Sequence, residues 1–152
     1  MTVRRPRDTA PTSEENVELV KRHIGHQDLA HVLRDDRAWA ARLAEVTPHF
    51  APDFEFVVHI PGDPTVGHGF EEFRAGFLDW LEPWDAYQPN IEELLDLGDR
   101  VVVLGHDRGR IQGVDGGIDV KGAVIYQFDD GKVTRIEYYL DRAEGLRAAG
   151  LR

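Results

Sequence analysis

The sequence predicts an α+β domain, with helices first and then a sheet that curls around them, leaving room for a cavity. Three observations predict it. Apolar side chains recur at helical spacing in the first third of the chain, beginning with Val17, Val20 and Ile24. From Ala86 onward the period turns to two, with β-branched and aromatic residues alternating against polar ones. The β-runs are separated by Gly-Asp at 98–99, Asp-Gly-Gly at 115–117 and Asp-Gly at 130–131, which is hairpin chemistry. Helices segregated from an antiparallel meander make an α+β architecture. A chain of 152 residues suits one domain with a real core. Residues 1–11 are expected as a disordered tail and 12–152 as the domain.

The elements follow in order. "TSEENVELVKRHI" opens a helix with Thr12 or Ser13 as N-cap, and Thr12 and Glu15 stand at capping-box spacing. A second helical region runs from about Leu29 to Val46, with a break near "RDD" and an inner face of Trp39, Leu43 and Val46. After Pro48 and Pro52, "DFEFVVHI" is short, β-branched and aromatic, and is expected as a strand. The loop "PGDPTVGHG" follows, and Phe70, Phe73, Phe77, Leu78 and Leu81 mark an amphipathic helix that Pro83 ends. The meander is expected at 86–97, 100–113, 118–128 and 132–141. Asp141 and Glu144 frame a short final helix, stopped by Gly150.

Composition excludes several classes of function. There is no cysteine, which rules out disulfides, thiolate metal sites and cysteine nucleophiles. Net charge is −10, from 28 acidic and 18 basic side chains, a surface that repels phosphate backbones; the one dense basic patch is Arg4, Arg5 and Arg7. Neither nucleic acid nor membrane is expected as a partner: no apolar run approaches a membrane span, and the N-terminus lacks a signal-peptide core. A soluble cytoplasmic protein is the default expectation.

Strand alternation points to a site. Val103, Gly105 and Asp107 share one face, and so do Ile136, Tyr138 and Leu140; both faces are apolar or small enough for a pocket wall. A carboxyl on such a wall is costly unless paired or protonated, and its pKa rises accordingly. Val57 and His59, taken as the pocket face against Phe56 and Val58, would bring a histidine to Asp107. His59 as base, Asp107 as orienting group or acid and Tyr138 as hydrogen-bond donor would form an acid/base set. The plainer alternatives are Asp107 paired with Arg108 or Arg110, His59 satisfied at a strand end, and Tyr138 and Tyr126 as lining. Trp39, Trp80 and Trp84 suit packing, with one capping the pocket, and Glu137 and Tyr139 are expected to face outward. His59, Asp63 and His68 lack ligand spacing, so no metal is expected; "GHG" at 67–69 lacks the spacing of a dinucleotide loop, and no cofactor is expected.

"SEENVELVKRHI", "VGHGFEEF", "GDRVVVLG" and "DGKVTRIEYYLDRAEGL", in this order, resemble the SnoaL-like branch of the nuclear transport factor 2-like superfamily, over about residues 13–150. Residues 28–50 look longer than is usual there. The resemblance implies a cone, a curved antiparallel sheet wrapped around helices, with an apolar pocket for a small-molecule ligand and sheets that pair as homodimers. Members include polyketide cyclases, ketosteroid isomerases, limonene epoxide hydrolases and proteins without catalysis. "GKVT" at 131–134 and "YLD" at 139–141 are similar to the last strand of the limonene epoxide hydrolases. Carried across from them, the proton-donating Asp falls on Asp107 and the water-holding Asn on His59. The bridging Arg falls on Gly105, the water-activating Asp on Tyr138 and the water-holding Tyr on Val57. The general-base Asp of ketosteroid isomerases falls on Ile60, and the acid/base Asp of the cyclases falls near Tyr138. The lining expected is Trp39, Val57, Phe77, Trp80, Val103, Gly105, Tyr126 and Ile136. The function implied is cofactor-free isomerisation, cyclisation or hydrolysis, or alternatively a non-catalytic ligand-binding or scaffold protein.

Overall fold

The computed structural model describes residues 2–4, 11–23, 28–59 and 64–151. In chain order the elements are β1 (Thr2–Arg4), α1 (Pro11–His23), α2 (Leu29–Arg34), α3 (Asp36–Val46), β2 (Phe50–His59), β3 (Thr65–His68) and α4 (Gly69–Leu81). There follow β4 (Trp84–Gln88), β5 (Ile91–Asp96), β6 (Arg100–Ile111), β7 (Ile118–Asp129), β8 (Lys132–Tyr139) and α5 (Arg142–Ala148).

The break expected near "RDD" falls at Asp35. Its extended backbone ends α2, and its carboxylate accepts from the Ala38 backbone N–H at 2.9 Å, capping α3. Asp28 caps α2 by accepting from Ala30 N–H at 2.9 Å, and the same oxygen accepts from Tyr87 N–H at 3.0 Å, tying the helix to β4. Arg74 of α4 holds the pair of helices by donating to the Leu33 carbonyl at 2.8 Å and to Asp36 at 2.8 Å.

The strands form one curved, unclosed sheet in the order β1-β5-β6-β7-β8-β2-β3. The meander β5 to β8 is antiparallel, as the hairpin turns require, but β2 runs parallel to β8 and β1 parallel to β5. The sheet is therefore mixed rather than wholly antiparallel. Three further expectations are corrected. The single strand at 86–97 is two, because Pro89 has no N–H to give a ladder; β4 pairs the far half of β6, with Tyr87 opposite Gly109, and β5 the near half, with Leu94 opposite Val103. The loop after β2 carries β3, with Val66 opposite Val57, and Gly67 lies so close to the Phe56 ring that a Cβ would strike it. Thr2–Arg4, expected within a disordered tail, form β1.

Burial explains the apolar run "VVVL". Val101 and Val103 pack with Phe54, Phe56, Tyr126 and Ile136 on the inner face, beneath Val17 and Val20 of α1. Val102 and Leu104 pack on the outer face with Ala123, Ile125 and Ala149, so the middle of β6 is covered on both sides. α5 lies so close to β7 that a Cβ on Gly145 would sit 2.6 Å from that of Ala123. Among the described residues no helix is long and apolar enough to cross a membrane.

Candidate functional site

A cavity of about 210 Å³ lies between α2, α3 and α4 and the inner face of the sheet. Strand register orders its wall. Asp107 stands opposite Val120, Gly105 opposite Gly122, Val103 opposite Val124, and Val101 opposite Tyr126. On β8, Tyr138 lies beside Val124 and Ile136 beside Tyr126. The helices close the other side with Leu33, Trp39, Arg42, Phe73, Phe77 and Trp80.

Asp107 is half-buried, and both of its oxygens are engaged. The Tyr87 hydroxyl donates to Oδ2 at 2.7 Å, and the Asn90 backbone N–H donates to Oδ1 at 3.1 Å. The β4–β5 break makes this cradle by freeing Asn90 from the ladder, while the Asn90 carbonyl accepts from His106 N–H at 3.0 Å. Burial raises the Asp107 pKa above the ordinary carboxylate value, against the lowering effect of the two donors. Burial and the adjacent carboxylate together push the Tyr87 phenol up. The arginines expected as alternative partners lie elsewhere: Arg108 pairs with Asp119 at 3.1 Å and Arg110 with Asp85 at 3.8 Å. Gly105 leaves room for the carboxyl, since a Cβ there would be 3.1 Å from Oδ1.

Tyr138 presents its ring to Phe77 (centroids 4.9 Å apart) and to Phe73 (6.2 Å). Its phenol is held well above the ordinary value by burial first and by Tyr126 second, with no hydrogen-bond partner contributing. Tyr126, 5% exposed, is likewise raised by burial, with Arg42 opposing and the Asp107 carboxyl adding to the rise, and its hydroxyl has no hydrogen-bond partner among the described residues.

β2 has the opposite phase from that expected. Phe56 lies beside Ile136 and Val58 beside Tyr138, so these two face inward; Val57 and His59 lie beside Glu137 and Tyr139 and face out. Both pairs on this strand contain apolar side chains, so alternation leaves the phase open; packing of Phe56 on Phe73 (centroids 5.6 Å apart) fixes it. His59 is therefore not brought to Asp107. Its ring stacks on Tyr139 at 4.1 Å and its Nε2 is 3.1 Å from Glu137 Oε2, to which the Tyr139 hydroxyl also donates at 2.9 Å. Arg135 pairs with Glu55 at 3.2 Å and with Glu137 at 3.6 Å, and His68 stands 3.6 Å from Glu55. Burial, then Glu137, pushes the Tyr139 phenol up to about 12.

Of the expected lining, Trp39, Phe77, Trp80, Val103, Gly105, Tyr126 and Ile136 stand on the cavity wall, and Val57 does not. Tyr87, Asn90 and Arg42 were missed. For the first two the available signal was Pro89 inside an apparent strand; for Arg42 it was a position three residues after Trp39 on the inner helix face. Among the described residues no group of three or more His, Asp or Glu could hold a metal ion; Asp63 lies outside them.

A SnoaL-like domain model matches residues 31–136, more than half of the chain. The chain belongs to the SnoaL-like family. No curated protein matches this SnoaL-like chain, but many solved structures do. One is a Jannaschia sp. CCS1 protein named after the SnoaL-like polyketide cyclases, 23% identical, with 88% of this chain and 90% of that one covered and a TM-score of 0.63. Another is an NTF2-like protein from Burkholderia pseudomallei, 21% identical, with 88% and 95% covered and a TM-score of 0.63. A third is a phenazine biosynthesis-related protein from Pseudomonas aeruginosa, 20% identical, with 93% and 88% covered and a TM-score of 0.59. At these identities the likeness is one of fold, and the chemistry of this SnoaL-like pocket rests on its own residues.

Proposed function

We propose that the chain binds a compact apolar molecule in this cavity and moves a proton on it without a cofactor, as an isomerase or cyclase does. The observation that carries this reading is Asp107, a carboxyl on an apolar cavity wall with both oxygens fixed by donors and no ion pair to a cation among the described residues. Two donors aimed at one carboxyl suit its ionised form, which only accepts. Burial makes that carboxylate more basic than a surface aspartate, and so better matched to proton transfer near neutral pH. It takes a proton from a carbon next to a carbonyl. The Tyr138 hydroxyl, kept protonated by its raised pKa, donates to the oxygen on which the charge collects. Asp107 then returns the proton to another carbon, or the enolate carbon attacks a second carbonyl to close a ring, opening its C=O to an alkoxide that takes the proton back from Asp107.

Epoxide hydrolysis has less support, because Gly105, Tyr138 and Val57 bring no arginine, carboxylate or water-holding phenol to the positions that chemistry uses. Binding without turnover is the second reading, favoured by a phenol at Tyr138 where the cyclases carry an acid/base carboxylate. Hydrogen–deuterium exchange at C1 of 2-tetralone, an apolar bicyclic ketone, separates the two. Acceleration by the wild-type protein is expected, with a loss of ~10²–10⁴-fold in Asp107→Asn. If calorimetry shows tetralone bound but exchange is no faster than in buffer, binding without turnover stands; if exchange is accelerated and Asp107→Asn is as fast as wild type, Asp107 is not the base.

We propose further that two copies pair through the outer face of β2 and β8, where His59 and Tyr139 form a part-exposed stacked patch. Sedimentation velocity is expected to give a dimer at micromolar concentration; a monomer at every concentration would refute it.

A further inference from the structure

The cavity has a second polar end that proton transfer at Asp107 does not use. Tyr126 stands opposite Val101, six residues along β6 from Asp107, although the Asp107 charge still reaches its phenol. Arg42 of α3 joins Tyr126 on the wall of this end, among Val46, Phe50 and Ile136. The Arg42 side chain is only 24% exposed, and the ion pair it makes, with the largely exposed Glu45, is stretched to 4.0 Å. Such a pair contributes little, so the guanidinium is part-buried and poorly compensated. It is close enough to Tyr126 to oppose the effect of burial on that phenol.

Tyr126 adds a donor. It is almost fully buried, and its hydroxyl is not hydrogen-bonded within the described residues although the side chain lines the cavity. Buried hydroxyls are ordinarily satisfied, so one that faces open space marks where a ligand's acceptor atom belongs. A guanidinium and a phenol donor together attract negative charge. The rest of the wall here is aromatic, with Phe50, Phe70 and Phe73 in ring contact and Trp39 stacked parallel to Phe73 at 6.4 Å.

We infer that this end is an anion subsite, and that the pocket takes a small aromatic carboxylate with its carboxylate between Arg42 and Tyr126 and its rings against Phe73 and Trp39. The inference rests on the pocket reading and is independent of whether Asp107 moves a proton. It also fixes direction: a carboxylate is drawn to Arg42 and repelled by Asp107, so the far edge of the ring system is the part presented to Asp107.

The test compares 2-naphthoate with 2-naphthamide, a neutral probe of nearly the same shape, by calorimetry at pH 8. The wild-type protein is expected to bind the carboxylate at least tenfold more tightly. Arg42→Met, which keeps the stem and removes the charge, is expected to bring the two probes within twofold while amide affinity is retained; Arg42→Gln serves in its place if the Met variant does not fold. Tyr126→Phe is expected to reduce the preference several-fold. Equal binding of the two probes, binding of neither, or a preference that survives both Arg42 variants would overturn the inference. Asp107→Asn is expected to keep the preference, so loss of tetralone exchange and loss of anion selectivity are separate results.

Discussion

Asp107 gives up hydration to stand on an apolar wall, and the cost depends on pH. Its native pKa is raised above its unfolded value, so the folded chain keeps this proton to higher pH than the unfolded chain does. Stability from this group is complete below the ordinary carboxylate range, about 4, and declines as pH rises through the native value. Asp107→Asn removes that decline. Urea unfolding at intervals from pH 4 to pH 8 is expected to show the variant gaining on wild type as pH rises, and a difference that is constant with pH would contradict the burial argument. His59 gives the opposite case. It lies on the outer face, so His59→Ala is expected to leave tetralone exchange and naphthoate affinity within about twofold while lowering stability by about 1 kcal/mol through its bond to Glu137. Measuring both quantities on one preparation checks this. The alternation of β6 made Asp107 legible in the sequence, because only one of its faces is small and apolar enough for a pocket wall. His59 was legible as a residue but not as to its side, because both faces of β2 carry apolar groups and the choice is made by Phe73, from another element.

At the scale of elements, what could be read locally is what local chemistry decides. Asp35 caps α3 by a bond that spans three residues, and the break it makes was visible in "RDD". Asp35→Ala is expected to destabilise the fold, read as a lower denaturation midpoint. β3, β1 and the separation of β4 from β5 were not visible, because each depends on a partner strand remote in sequence. α5 shows the same dependence in a single position. In an isolated helix Gly145→Ala is favourable, but here the new methyl meets Ala123, and a loss of about 1–3 kcal/mol is expected. Ala123→Gly in the same chain is expected to return most of it, which a double-mutant cycle of urea midpoints measures.

Across the whole molecule, the parallel pairing of β2 with β8 joins the first half of the chain to the last and makes the pocket a property of the complete fold. The turn signals gave the meander its outline, whereas closure by β2 could be read only through the resemblance to SnoaL-like proteins. A ligand that fills the cavity binds the folded chain and not the unfolded one. Naphthoate at a hundred times its Kd is therefore expected to add about 2.7 kcal/mol to unfolding, an increment that a tenfold loss of affinity in Arg42→Met should cut to about 1.4 kcal/mol at the same naphthoate concentration. Thermal unfolding with and without the probe reads this directly.

The joint at Asp35 separates two populations of pocket residue. Those that could perform chemistry, Asp107 and Tyr138, stand on strands woven into the sheet, while Leu33, Trp39 and Arg42 ride on two short helices that meet at one extended residue. Substitutions on those helices alter what the pocket admits and leave the register of β6 and β8 untouched. Preference for a ligand is thus free to drift in descendants of this sequence while the carboxyl stays in place, and a lineage can change its molecule without rebuilding its frame.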